Sequence, residues 1–245
     1  ASANPEDYTN RGRIITPLKD RVGSEIRTHY PYTVEHEIQI MESESNHFTT
    51  EGMEVAVPQF MKEVIAEITH LARRSNDISQ RSGVSVRVSV ANYENVLSNA
   101  SRRALRLKER AVAPRVSDLS AIMASTCGKI ELDTVGDAKE DRVVQKLINA
   151  SIVSVFGDYF ENREFDQLVA GFERGLHVQV GDDMPSMEYV NQLSKVGGLS
   201  KAIDKLNGRG NPATVASTVE FILEGLHLNR RLNKDDAGGK VRYRR

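Results

Sequence analysis

Tryptophan is absent from this 245-residue chain, aromatic residues make up only 6% and cysteine occurs once. A lone Cys127 cannot form an internal disulfide framework, and it fits a reducing cytoplasm. So few aromatic rings leave little material for the stacking platforms that hold single-stranded nucleic acid. Charge of one sign is also missing: the formal net charge is −1, which gives no whole-chain argument for nucleic acid or an acidic membrane surface. No apolar run approaches the roughly 20 residues that cross a bilayer, and no signal-peptide pattern opens the chain, so no membrane association is expected. The six histidines show no metal-ligand spacing.

What is present is the make-up of a folded protein, 39% hydrophobic and 27% charged, long enough to bury a core. The opening Ala1-Ser-Ala-Asn4-Pro5 has no initiating Met and reads like a chain met in mid-domain. Val22, Gly23, Glu25, Ile26 and Thr28 suggest a short strand ended by Pro31. Thr33 then reads as a helix N-cap before Val34, Ile38 and Met41. Alternation of Val34, Ile38 and Ile40 with polar neighbours also fits a strand there, and helix is the preferred reading.

Helical spacing dominates from that point. Pro58 suits a first helical position ahead of Phe60, Val64, Ile68 and Leu71. Gly83 and Ser85 set off a long helix with the stripe Val90, Tyr93, Leu97, Ala100, Ala104 and Leu107. Ser117 reads as the cap of the next helix, with Leu119, Ile122 and Met123 on its face and Asp118 favourable to its dipole. After a polar break at Gly136–Glu140 come Val144, Ile148, Ile152 and Val155, then Phe165, Leu168, Val169 and Phe172. Gly181–Pro185 reads as a loop. Met187, Val190, Leu193 and Val196 form a further face, and Leu199, Ile203 and Leu206 a short helix. Val215, Val219, Ile222 and Leu226 mark the last helix, and the basic tail from Asn233 is expected to fray. The cations Arg102, Arg103, Arg106, Lys108 and Arg110 read as a solvated helix face, favoured near a helix C-terminus. Nucleic acid is not expected as a partner, and Cys127 reads as a structural thiol.

Three short segments stand out as candidate chemistry: Asn4-Pro5-Glu6-Asp7, Leu18-Lys19-Asp20-Arg21 and Val84-Ser85-Val86-Arg87. Transfer of a phosphoryl group needs fixed cations for the γ-phosphate and a group that orients the attacking water. An amide side chain suits the water because it donates and accepts at once. A guanidinium suits the phosphate because it stays charged and donates through a planar fork.

In order and spacing these segments resemble the later part of the AAA+ ATPase subunit of magnesium chelatase and, more loosely, MoxR-type ATPases, over about residues 1–132. The resemblance implies that Asn4 is sensor 1, that Arg21 is the arginine finger with Asp20 as its neighbour, and that Arg87 is sensor 2 at the start of a lid helix. Val22 departs from the aromatic residue usual after the finger, and Arg11, Arg13 and Lys19 add cations to the loop before it. No G-x-x-x-x-G-K-[ST] loop occurs, since Gly128-Lys129-Ile130 and Gly239-Lys240-Val241 both fail the pattern, and no apolar strand ends in Asp-Glu. The chain is therefore expected to be a piece of a larger ATPase, inactive alone, with ATP and Mg2+ handled by the intact parent and no cofactor by this fragment.

The expected fold is mainly α: the remnant end of an α/β AAA+ core at 1–50, a helical lid at 51–135, a C-terminal helical domain at 136–232 and a flexible basic tail at 233–245. The resemblance further implies a ring, expected as a hexamer, working on a partner that carries a von Willebrand A-type domain. The output is remodelling or metal insertion. A non-catalytic helical interaction or scaffold module is the alternative.

Overall fold

The Thr33 hydroxyl accepts the N–H of His36, so helix α1 (Val34–Glu44) begins where the sequence places it. This is a computed structural model, and it describes Pro17 and residues 20–46, 52–80, 83–132, 140–193, 196–237 and 240–245. The chain divides into two compact units, Ala1–Tyr30 and Pro31–Arg245. In the first, residues 22–30 are irregular, and the strand expected over Val22–Thr28 is not formed. The segment pairs with no strand among the described residues, and its apolar Val22 and Ile26 stay exposed.

The second unit is mainly helical. Helix α2 (Gln59–Ala72) follows Pro58, which occupies the N-cap rather than the first helical position, and it buries Phe60, Val64, Ile65 and Ile68. Helix α3 (Arg87–Leu107) ends at Lys108, whose left-handed φ of 58° lets its N–H reach the last carbonyls. Its buried face holds Val88, Ser89, Asn92, Tyr93, Val96, Ala100, Arg103 and Ala104. That face is rotated from the expected stripe, leaving Val90 and Leu97 only half-buried, because hydrogen-bonded polar side chains share it.

A 3-10 turn (Val116–Ala121) and the short α4 (Ile122–Thr126) come next. Ser117 does not cap them. Arg115 is the N-cap, and the Asp118 carboxylate accepts its N–H at 2.8 Å. Helix α5 (Glu140–Tyr159) buries Val144, Ile148, Ile152 and Val155 as the spacing predicts. Helix α6 (Asp166–Glu173) likewise buries Leu168, Val169 and Phe172. Helix α7 (Ser186–Leu193) turns Tyr189 inward and leaves Met187 53% exposed, while Val190 and Leu193 of the expected face are half-buried and Val196 beyond it is buried. Tyr189 has polar partners inside that Met187 could not satisfy. After the short α8 (Ser200–Lys205) comes α9 (Pro212–Leu228), capped by Asn211, which accepts the N–H of Thr214.

Helix α9 is buried along nearly its whole length, as an apolar helix at the centre of a bundle must be. Phe221 stacks on Phe60 of α2 at 4.5 Å and meets Phe156 of α5 at 6.0 Å, so one aromatic cluster joins three helices. Among the described residues no helix is long and apolar enough to cross a membrane.

Five short strands complete the unit's described part. Strand β1 (Glu54–Val55) pairs in parallel with β2 (Ala111–Val112). Strands β3 (Val178–Gly181), β5 (Lys240–Arg244) and β4 (Asn233–Ala237) form an antiparallel sheet in the order β3-β5-β4. The basic tail expected to fray is thus a paired hairpin. Several of its cations have partners: Lys234 bonds Glu224, Arg244 pairs with Asp235, and Lys240 lies 3.9 Å from Asp183. The divisions drawn at 50/51, 135/136 and 232/233 all fall within the second unit, because α1 packs on α2 and α3, α5 packs on α2, and the hairpin pairs with β3.

Close packing at α9 makes a direct test. A Cβ placed on Gly225 would lie 2.2 Å from Cδ2 of Phe156, whereas one on Gly157 of α5 meets nothing within 4 Å. Gly225→Ala is expected to lose about 1–3 kcal/mol by overpacking. Gly157→Ala is expected to gain about 0.5–1 kcal/mol, since a helix-interior glycine carries excess chain entropy. Urea unfolding midpoints of the two variants check both signs.

Candidate functional site: the start of the long helix and its buried supports

Arg87 is the first residue of α3, and its N–H donates to Ser85 Oγ at 3.2 Å. Its side chain is exposed and makes no hydrogen bond or ion pair among the described residues. The first turn of α3 carries no acidic residue. A cation there faces the positive end of the helix dipole, which disfavours it by about 0.3–1 kcal/mol, and an arriving anion would be favoured by both.

The ground beneath Arg87 is rigid. Glu37, on α1 and fully buried, takes a bidentate pair from Arg73 at 2.8 and 3.0 Å. Arg73 Nε in turn donates to the carbonyl of Val84 at 2.9 Å. Ser89 Oγ lies 2.6 Å from Glu37 Oε1 and 2.6 Å from Thr69 Oγ1 of α2. His70 Nε2 stands 3.5 Å from the same carboxylate without a hydrogen-bond partner. Three helices therefore meet at one carboxylate, on both sequence flanks of Arg87.

Asp20 and Arg21 are exposed in the first unit, where Arg21 Nη1 donates to the carbonyl of Pro17 at 2.6 Å. Arg87 belongs to the second unit. Asn4, with Arg11, Arg13 and Lys19, lies outside the described residues.

A second buried polar group binds the middle of the unit, and the sequence pattern gave no sign of it. Arg115 is fully buried, with Nη1 donating to Met184 O at 2.9 Å and Nη2 to Ser186 Oγ at 2.8 Å. Its guanidinium sits 4.7 Å above the Tyr189 ring, a cation–π arrangement. Arg103, read from the sequence as part of a solvated basic face, is only 3% exposed. It forks onto Asp118 at 2.9 and 3.3 Å and onto Ala113 O at 2.8 Å. Glu220 of α9 accepts the Ser117 N–H at 2.9 Å and the Tyr189 hydroxyl at 2.5 Å. Tyr189 itself accepts the Gly181 N–H at 3.1 Å.

Burial pushes the Glu220 carboxyl up from its ordinary value, although the Arg115 charge and the Tyr189 and Ser117 hydrogen bonds pull the other way. The Tyr243 hydroxyl is likewise raised, by burial and by the Glu224 carboxylate it bonds. Cys127 is half-buried, with its thiol 3.8 Å from Asp141 Oδ1. Burial and the nearby Glu140 and Asp141 raise the thiol, which disfavours the reactive thiolate. Among the described residues no group of three or more His, Cys, Asp and Glu side chains could hold a metal ion.

The sign for Glu220 is definite. A carboxyl raised in the folded state contributes stability below its unfolded value and loses it as pH climbs through the folded one. Glu220→Gln removes that titration while keeping an acceptor for Ser117. The stability of the Gln variant relative to the parent is therefore expected to rise with pH from about 4.5 upward. Denaturant titrations at pH 4, 6 and 8 check it, and a pH-independent difference would count against the assignment.

Comparison of the chain with protein-family models, with curated proteins and with solved structures found no match to any of them.

Proposed function

We propose that this chain is the sensing and lid portion of an AAA+ ATPase of the magnesium-chelatase/MoxR kind, which couples ATP hydrolysis to remodelling of a partner or to metal insertion. The observation that carries the reading is Arg87: an exposed guanidinium without an internal partner, at the start of a long helix whose first turns are held by buried charge. A protein gains nothing in stability from a cation in that place, and an anionic ligand would turn the same charge to use. The motif order supports it, with Asn4-Pro5-Glu6 and Leu18-Lys19-Asp20-Arg21 ahead of Val84-Ser85-Val86-Arg87.

On this reading ATP is the substrate, and its phosphate cradle is supplied by residues outside this sequence. Asn4 orients the attacking water through its amide, and Arg87 binds the phosphates from the lid side. Arg21, exposed beside Asp20, reaches the γ-phosphate held by an adjacent subunit, which requires a ring, most simply a hexamer. Mg2+ would enter with the nucleotide and neutralise phosphate charge. A von Willebrand A-type partner fits the same reading. A second reading, a helical interaction module without nucleotide chemistry, draws support from Val22 and Ile26, which are 54% and 88% exposed along an irregular segment.

Arg21→Ala in the whole ATPase is expected to lower kcat by about 10³–10⁵ while ATP binding is kept. Steady-state turnover with equilibrium nucleotide binding measures both. Turnover unchanged by the substitution removes the finger, and a whole protein that neither binds nor hydrolyses ATP leaves the interaction module.

A further inference from the structure

We infer that Glu37 is a positioning residue for Arg87, an inference that rests on the phosphate-binding reading of that arginine. Arg87 lies between two anchored points. Three residues before it, the Val84 carbonyl is held by Arg73 Nε at 2.9 Å. Two residues after it, Ser89 Oγ lies 2.6 Å from Glu37 Oε1. Arg73 gives its other two nitrogens to the Glu37 carboxylate at 2.8 and 3.0 Å, so both anchors end on the same two oxygen atoms.

The carboxylate is fully buried, and its charge is matched by Arg73, with Ser89 as a further hydrogen-bond partner. Without it, Arg73 would lose the bidentate counter-charge that fixes its guanidinium, and its hold on the Val84 carbonyl would loosen. Ser89 would keep only Thr69, 2.6 Å away on α2. The first turn of α3 would then be free to reorient, and the Arg87 guanidinium with it. Glu37 touches no substrate. It acts through Arg73 and Ser89, by fixing where α3 begins and therefore where Arg87 points.

Glu37 also stands on α1, which starts four residues past Tyr30, the end of the unit that bears Arg21. In the chain, the helix that follows the finger segment is thus the helix that sets the sensor. Displacement of α1 would be felt first at the Glu37 carboxylate and then at the start of α3.

The test has two arms. In this chain, hydrogen exchange reports the positioning alone: the Val88 and Val90 amides are held at 3.0 and 3.2 Å by the Ser85 and Val86 carbonyls. Glu37→Gln is expected to speed their exchange about tenfold or more while the α9 amides keep their rates. Ser89→Ala, which cuts one tether only, is expected to act in the same direction and guards against a Gln variant that fails to fold. Unchanged exchange at Val88 and Val90 in the folded variants overturns the inference.

In the whole ATPase, Glu37→Gln and Arg87→Ala are each expected to raise the KM for ATP by about tenfold, and the double variant by no more than either alone. Glu37→Asp, which keeps the charge, is expected to recover most of the loss. Additive effects would make Glu37 a structural residue independent of Arg87 and overturn the positioning role. An Arg87→Ala enzyme with parental KM, alongside faster exchange in Glu37→Gln, would instead remove the phosphate reading while leaving the mechanical link intact.

Discussion

Burying an arginine side chain completely is costly unless its nitrogens find partners or a counter-charge, and Arg115 meets that demand through its two terminal nitrogens, with Nε left unbonded. Its guanidinium bonds the backbone at Met184 and the hydroxyl of Ser186, lies over Tyr189, and stands 3.8 Å from Glu109. Its own N–H goes to Asp118, which also receives Arg103 and Asn99. The side chain reaches α7 and the backbone N–H reaches Asp118, so Arg115 and Asp118 together link α3, the 3-10 turn and α7. Neighbouring Glu220 brings α9 into the same group through Ser117 and Tyr189. Where an apolar core leaves several rotamers and packings close in energy, bonds of this kind fix a single arrangement.

The two halves of the second unit solve different problems with the same chemistry. Around Glu37 a carboxylate gathers α1, α2 and α3 near a side chain that faces outward. Around Arg115, the buried charges of Arg115, Asp118 and Glu220 link α3, α7 and α9. The aromatic cluster of Phe60, Phe156 and Phe221 lies on α2, α5 and α9 and supplies the non-directional part of the cohesion. Hydrophobic burial of this sort tolerates sliding, and hydrogen-bonded charge does not. Stiffness is therefore expected to follow the polar groups.

Much of this was legible in the residues and some was not. The spacing of Val144, Ile148, Ile152 and Val155, or of Val215, Val219, Ile222 and Leu226, marks helices because those faces are nearly pure in apolar side chains. The face of α3 misleads because Ser89, Asn92 and Arg103 are buried there by specific partners far away in sequence, and periodicity cannot see a partner. Tyr189 displaced Met187 inward for the same reason. The C-terminal hairpin was hidden by its composition: Asn233-Lys234-Asp235-Asp236-Ala237 has almost no strand propensity. It is held by pairing with β5 and by Tyr243 and Lys234, which both reach Glu224. Of the candidate site, the residue Arg87 and its place at a helix start could be read in advance. The Glu37–Arg73 support could not, since the two residues lie 36 positions apart.

One side chain on α7 has a consequence for how this molecule behaves among its neighbours. The amide of Gln192 accepts from the Gln179 N–H at 3.0 Å and donates to the Gln179 carbonyl at 3.1 Å, along the outer border of β3. It mimics the hydrogen-bonding pattern of a further strand while being too short to present one to anything else. The opposite border, β4, begins Asn233-Lys234-Asp235, a polar run that discourages strand addition. Strand addition is thus opposed on both borders of the three-stranded sheet, by the Gln192 amide at β3 and by polar side chains along β4, which works against growth of a cross-chain ladder at high local concentration.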